Sequence, residues 1–239
     1  MHQNLLFNRK YRVIIIVIVI VCITICTSFL RNKHDANLVN AIQNNDIEAV
    51  QTLLAHHANP NAWRGDFIGD LFNRGNGHFT TLMLAANNGS EVLVRDLLKS
   101  GANVNSRYYN GSIQTTPLLY GIVSGNSKVV QLLVDGGSTV NFYDGSSFGS
   151  LHYAISSNNY DIVKILVDHG ADIEMKNMNG ETPIFDAIRF ENIKSIKLLI
   201  DKKANLNVKN KLGQTPLSLV IPATHKEIFE LLTHSGAKI

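Results

Sequence analysis

Residues 182–214 read TPIFDAIRFENIKSIKLLIDKKANLNVKNKLGQ, and at residue 215 the chain begins again with Thr215-Pro216-Leu217. Thr182 offers a capping hydroxyl and Pro183 a pre-set φ, which together mark a helix start. Further on, Ile196, Leu199 and Ile200 fall on one helical stripe. The unit recurs outward from this point. Thr116-Pro117-Leu118 is a full copy of the opening, Thr80-Thr81-Leu82 and Gly149-Ser150-Leu151 are degenerate ones, and Ala36-Asn37-Leu38 is a worn first one. The starts at 36, 80, 116, 149, 182 and 215 are separated by 44, 36, 33, 33 and 33 residues. Twenty-five residues after each of the first five starts stands Asn61, Asn105, Asn141, Glu174 or Asn207. Endings such as Gly101-Ala102-Asn103-Val104 and Gly170-Ala171-Asp172-Ile173 precede most of these, with glycine where positive φ is cheap. Each unit therefore reads as a turn, a short helix, a second turn and a longer helix, and a fixed period of this length predicts a solenoid.

The Thr-Pro-aliphatic openings and the 33-residue period resemble the ankyrin repeat, over residues 36–239, about 85% of the chain. The resemblance implies an all-α fold, an ankyrin-repeat solenoid of stacked helix-turn-helix units with β-turn or hairpin fingers, in six repeats that close near Ile239. Histidine usually follows the Thr-Pro-Leu opening in this family. Here only His152 does so, while Val39, Met83, Leu119, Phe185 and Ser218 fill the other positions. A weak inter-unit hydrogen-bond ladder is the expectation, with apolar stacking holding the array together. Pro222, at the end of the last first helix, is expected to shorten or kink it.

The connectors between units are uneven. Residues 142–148, 175–181 and 208–214 make seven-residue connectors, 106–115 has ten residues, and the long finger 62–79 has eighteen. Trp63, Phe67, Phe72, Phe79, Tyr108, Tyr109, Phe142, Tyr143 and Phe148 all lie in the first three, half of the chain's aromatics. Connectors ordinarily face water, and exposed aromatics are efficient anchors for a partner. The alternative for the first finger is that Trp63, Phe67 and Phe72 fold back into a satellite core. The resemblance adds the ends of the first helices to the expected contact surface: Asn87 and Asn88, Val123 and Ser124, Ser156 and Ser157, Arg189 and Phe190.

Ahead of the repeats, residues 1–12 are basic, 13–30 form an uncharged and mostly apolar run, and 31–35 link it to the first unit. As a helix the run would span about 27 Å, which suits a transmembrane anchor or a signal-peptide core. Arg9, Lys10 and Arg12 before it, against Arg31 and Lys33 after it, orient the N-terminus to the cytoplasm and the repeats outside, in the periplasm of a bacterium. Both cysteines, Cys22 and Cys26, lie within the run.

Charge and motifs exclude several functions. Residues 36–239 carry 17 bases against 18 acids, so the body has no basic footprint for nucleic acid. Nine histidines include no His-x-His or His-x-x-x-His pair; His56 and His57 are adjacent, and His169 and His234 fall at second-helix ends. Asp66, Asp70 and Asp144 lack the register of a calcium loop. No catalytic residue, metal or cofactor is expected. The expected function is non-catalytic protein binding by a monomer, either membrane-tethered through 13–30 or released by cleavage. The resemblance admits one narrower role, a periplasmic immunity protein that neutralises a secreted toxin such as a lipase; an uncleaved anchor would instead suit a membrane-anchored envelope scaffold.

Overall fold

The threonines that open the units act as caps. Thr80 Oγ1 accepts the Met83 N–H at 3.4 Å, Thr116 Oγ1 the Leu119 N–H at 3.3 Å, and Thr215 Oγ1 the Ser218 N–H at 3.4 Å. Asp46, Asn126, Asn159 and Asn192 do the same for second helices. The computed structural model describes residues 33–63, 79–110, 113–144 and 148–238. The apolar run 13–30 lies outside them, and among the described residues no helix is long and apolar enough to cross a membrane.

The first helices are α1 (33–43), α3 (Thr81–Asn87), α5 (Pro117–Ser124), α7 (Ser150–Ser156) and α9 (Pro183–Arg189). The second helices are α2 (Ile47–Ala55), α4 (Glu91–Lys99), α6 (Ser127–Asp135), α8 (Tyr160–Asp168), α10 (Ile193–Asp201) and α11 (Lys226–His234). Each kind stacks on its own kind: α3, α5, α7 and α9 in one row, α2, α4, α6, α8 and α10 in the other. The core lies between the rows and is continuous from Leu38 through Leu97, Ile122, Leu133, Ile155 and Leu199 to Leu232. Gly121 permits a close approach of α5 to α6, because a Cβ there would meet Leu133 Cδ1 at 2.9 Å. The family-like all-α stack expected from the period is what the chain forms.

Fingers project between the rows' units. β1 (Tyr108–Asn110) and β2 (Ile113–Thr115) pair antiparallel, with Tyr108 opposite Thr115 and Tyr109 opposite Gln114. The first finger is closed at its base by a Trp63–Thr80 bridge, and the third by Tyr143–Gly149.

The sixth unit departs from the others. Its first helix is only a 3-10 turn, Leu217–Leu219. Pro222 has no N–H to donate and disfavours helical geometry at Ile221. Ile122, Ile155 and Ile188 are buried at the matching position, whereas Ile221 is 58% exposed. Where the missing turn would lie, a cavity of about 250 Å³ opens against Ile188, Leu219, Val220 and Ile228.

Candidate protein-binding face

Tyr143 and Phe142 are neighbours in an extended segment, so their side chains point to opposite sides. Tyr143 is 47% exposed, while Phe142 is buried at 6%. Phe142 is thus a correction to the expected anchor set. Ala62, Met175 and Val208 open their connectors at the matching position and are also buried, so this site belongs to the core in most units.

The other expected residues divide. Phe79 is half-buried against the core, edge-on to Tyr108 and Tyr120 at ring distances of 5.6 and 5.0 Å. Tyr109 is half-buried, with its hydroxyl 2.6 Å from Gln114 Nε2. Phe148 is half-buried beside His152 and Tyr153. Trp63 is exposed at the finger base, and Phe67 and Phe72 lie outside the described residues. Asn87, Asn88, Ser156, Ser157, Arg189 and Phe190 are all exposed at first-helix ends. Asn88 also works structurally, donating to the Ile42 carbonyl at 2.9 Å, and Ser157 Oγ donates to its own helix at Ala154.

Large apolar side chains that face water share one address. Trp63, Tyr143, Met178 and Leu212 are on fingers, Val123 and Phe190 are at the ends of first helices, and Ile221 follows the shortened first helix of the sixth unit. None of those exposed on the described residues is on a second helix. Exposed apolar side chains are not confined to the N-terminal half, since Met178 and Leu212 stand on the last two fingers.

Beneath the fourth and fifth fingers lies a polar cluster. His152 Nε2 donates to the Met175 carbonyl at 2.9 Å, and Nδ1 is 2.7 Å from Asp186 Oδ2, a contact that needs one proton between two acceptors. Asp186 Oδ1 accepts from Arg189 at 2.5 Å, and the same guanidinium reaches Glu181 Oε1 at 2.7 Å. Asn177 and Asn210 also donate to Glu181. Burial works against the charge on Glu181, but these donors and Arg189 outweigh it and hold the carboxyl below its ordinary range. In the third finger, Asp144 is buried and accepts from the Phe148 N–H and the Tyr153 hydroxyl. Burial first, and then Asp144, pushes that hydroxyl's pKa up. Asp144 is therefore a clamp for the finger. Among the described residues no group of three or more His, Cys, Asp or Glu is placed to hold a metal ion.

A second set of bonds, absent from the sequence reading as an interaction, ties units together. Asn105 Nδ2 donates to the Gly137 carbonyl at 2.9 Å while its Oδ1 accepts the Thr139 N–H at 2.7 Å. Asn61, Asn141 and Asn207 make the same pair of bonds to the next unit. Glu174 makes only one, from the Asn205 N–H at 2.6 Å. The expected weak ladder is corrected: asparagine supplies the recurring inter-unit link, and His152 adds one more through Asp186. The recurrence of Asn at a fixed phase was the available signal.

Comparison with known proteins agrees with this architecture. A family model described as ankyrin repeats matches in three copies, over residues 38–144, 82–177 and 151–239. A Rickettsia bellii chain described as an ankyrin repeat protein is 33% identical over 125 residues, covering 46% of this chain and 51% of its own length. Human Rabankyrin-5 is 42% identical over 74 residues, covering 31% of this chain and 6% of its own. This chain thus spans about half of the first relative and a small part of the second. The crystal structure of the human ASB11 ankyrin repeat domain superposes with a TM-score of 0.69 at 23% identity, over 84% of each chain.

Proposed function

Because the chain belongs to the ankyrin-repeat family, whose repeats serve as protein-interaction modules, we propose that it binds a partner protein through its fingers and first-helix ends. The observation that carries this reading is the distribution of exposed apolar side chains. Trp63, Tyr143, Met178, Leu212, Val123, Phe190 and Ile221 all lie on that face, and the second helices contribute none of those exposed on the described residues. Exposed apolar area concentrated on one surface marks an interaction site. Mechanism then means surface complementarity, with apolar anchors entering pockets of the partner and a polar rim around them. Fingers positioned by rigid helix stacks need little ordering on binding, which lowers the entropic cost.

The reading extends to location. The uncharged run 13–30, with three bases before it and two after, supports export of the repeats, with the run either retained as an anchor or cleaved. N-terminal sequencing of fractionated protein tests this part. A mature chain or an anchored chain with protease-accessible repeats supports export, and an intact chain in the cytoplasm refutes it.

Site-specific photo-cross-linking in the native cell tests the face itself. A cross-linker at Tyr143, Phe190 or Leu212 should yield a discrete adduct, while one at Lys164 or Lys197 on the second helices should not. Adducts of equal strength from both surfaces would overturn the assignment.

A further inference from the structure

Charge on the last two fingers narrows the partner. The finger 175–181 carries Lys176 and the finger 208–214 carries Lys209 and Lys211, all exposed. None of the three forms an ion pair among the described residues; on or beside the second helices Lys128, Lys164, Lys197, Lys202 and Lys226 each meet a carboxylate, while Lys99 and Lys194 do not. The one acid within these two fingers, Glu181, is buried and committed to Arg189, Asn177 and Asn210. Glu174, just before the first of them, accepts the Asn205 N–H. The fingers touch at their tips, where the Lys211 N–H donates to the Asn179 carbonyl at 2.9 Å, so their lysines form one surface. Set among those lysines are Met178, 54% exposed, and Leu212, 82% exposed.

From this juxtaposition we infer that the fourth and fifth fingers receive an acidic segment of a partner protein that carries aliphatic side chains. Uncompensated cations beside two aliphatic tips complement carboxylates interleaved with apolar residues. A nucleic acid is a poorer fit, because these fingers have no aromatic ring to stack a base and the body is close to neutral. An anionic membrane is also poorer, since lipid-binding basic clusters ordinarily hold about four to eight cations. The inference rests on the proposed binding face and specifies its chemistry.

The test uses the full chain in mild detergent and a phage-displayed library of random dodecapeptides. Parallel arms use phosphatidylglycerol vesicles and oligouridylate. Selected peptides should be acidic and contain aliphatic residues. Their affinity should fall at least about tenfold for the triple variant K176E/K209E/K211E, which should melt with the parent, and should weaken as salt rises. Selection without acidic bias, no selection at all, or peptides indifferent to the triple variant would overturn the inference. Retention of vesicles or oligouridylate in place of peptides, abolished in the triple variant, would overturn it in favour of that other ligand. Cross-links at Tyr143 and Phe190 separate the two levels. If they persist when the peptide test fails, the binding face stands and only its acidic partner falls; if they too are absent, both fall.

Discussion

The two surfaces of the stack treat the same residue types differently. On the second helices Lys164 meets Asp168 at 2.5 Å and Lys197 meets Glu227 at 3.1 Å, and the exposed large apolar side chains are absent. On the fourth and fifth fingers Lys176, Lys209 and Lys211 form no ion pair among the described residues, and Met178, Leu212 and Tyr143 face water. Beneath those same fingers, however, His152, Asp186, Arg189 and Glu181 are fully engaged with one another. The difference teaches that this face commits its buried polar groups to one another while its outward groups make few contacts within the chain, which is the contrast the proposed binding role rests on.

The most severe way to break the comparison is to empty that internal cluster. Asp186→Ala leaves the buried His152 without its partner, while the exposed Arg189 keeps Glu181, and should cost about 3 kcal/mol in urea unfolding, the upper end for an unpaired buried polar group. Lys197→Ala on the second-helix surface should cost no more than about 1 kcal/mol. Equal costs would erase the distinction between a structural cluster and a solvated surface pair.

Next in size is the asparagine ladder. Asn141→Ala removes two bonds between units, from Asn141 Nδ2 to Gly170 and from the Asp172 N–H, and should cost about 1–3 kcal/mol. Conversely, Glu174→Asn should add the missing bond to the next unit's carbonyl at Lys203 and stabilise by about 1 kcal/mol. Denaturant midpoints of both variants measure this, and a Glu174→Asn variant that loses stability would show the phase to be without consequence at that unit.

Acid sharpens the comparison further. Glu181 has its folded pKa depressed from 4.5, so its stabilising contribution is present above that value and is lost as pH falls through the lower folded one. Glu181→Gln should therefore flatten the acid limb of the melting profile while leaving the neutral limb's slope alone. A parallel downward displacement at every pH would place the effect in packing instead.

The smallest effect concerns backbone conformation. Gly101, Gly137, Gly170 and Gly236 end their units at positive φ, but Lys203 holds the same position at φ 69°. Lys203→Gly should stabilise by roughly 0.5–1 kcal/mol, because glycine adopts this region without Cβ strain.

Much of the fold was legible in the chain because a 33-residue period, threonine caps and terminal glycines are local signals. Pro222 was legible too, since a ring without an N–H acts within its own turn, and the sixth unit shows the expected shortening. What was hidden depends on contact between units. Asn141 and Asp172 are 31 residues apart in sequence and meet only in the stack. The pairing of His152 with Asp186 joins α7 to α9 in the same way. Tyr143 and Phe142 show the limit for the candidate face: membership of a connector says nothing about which side a residue takes, and only the buried apolar residue recurring at that phase in Met175 and Val208 points to the core.

The most direct test of the binding face takes the partner identified by cross-linking and titrates it calorimetrically against two double variants. Tyr143→Ala/Phe190→Ala should lose more than about 1 kcal/mol of affinity with its melting transition retained, as anchor residues do. Lys164→Ala/Lys197→Ala should bind as the parent does. A parent-like affinity in the first variant, or an equal loss in the second, would contradict the assignment of the finger and first-helix face as the place where this chain meets its partner.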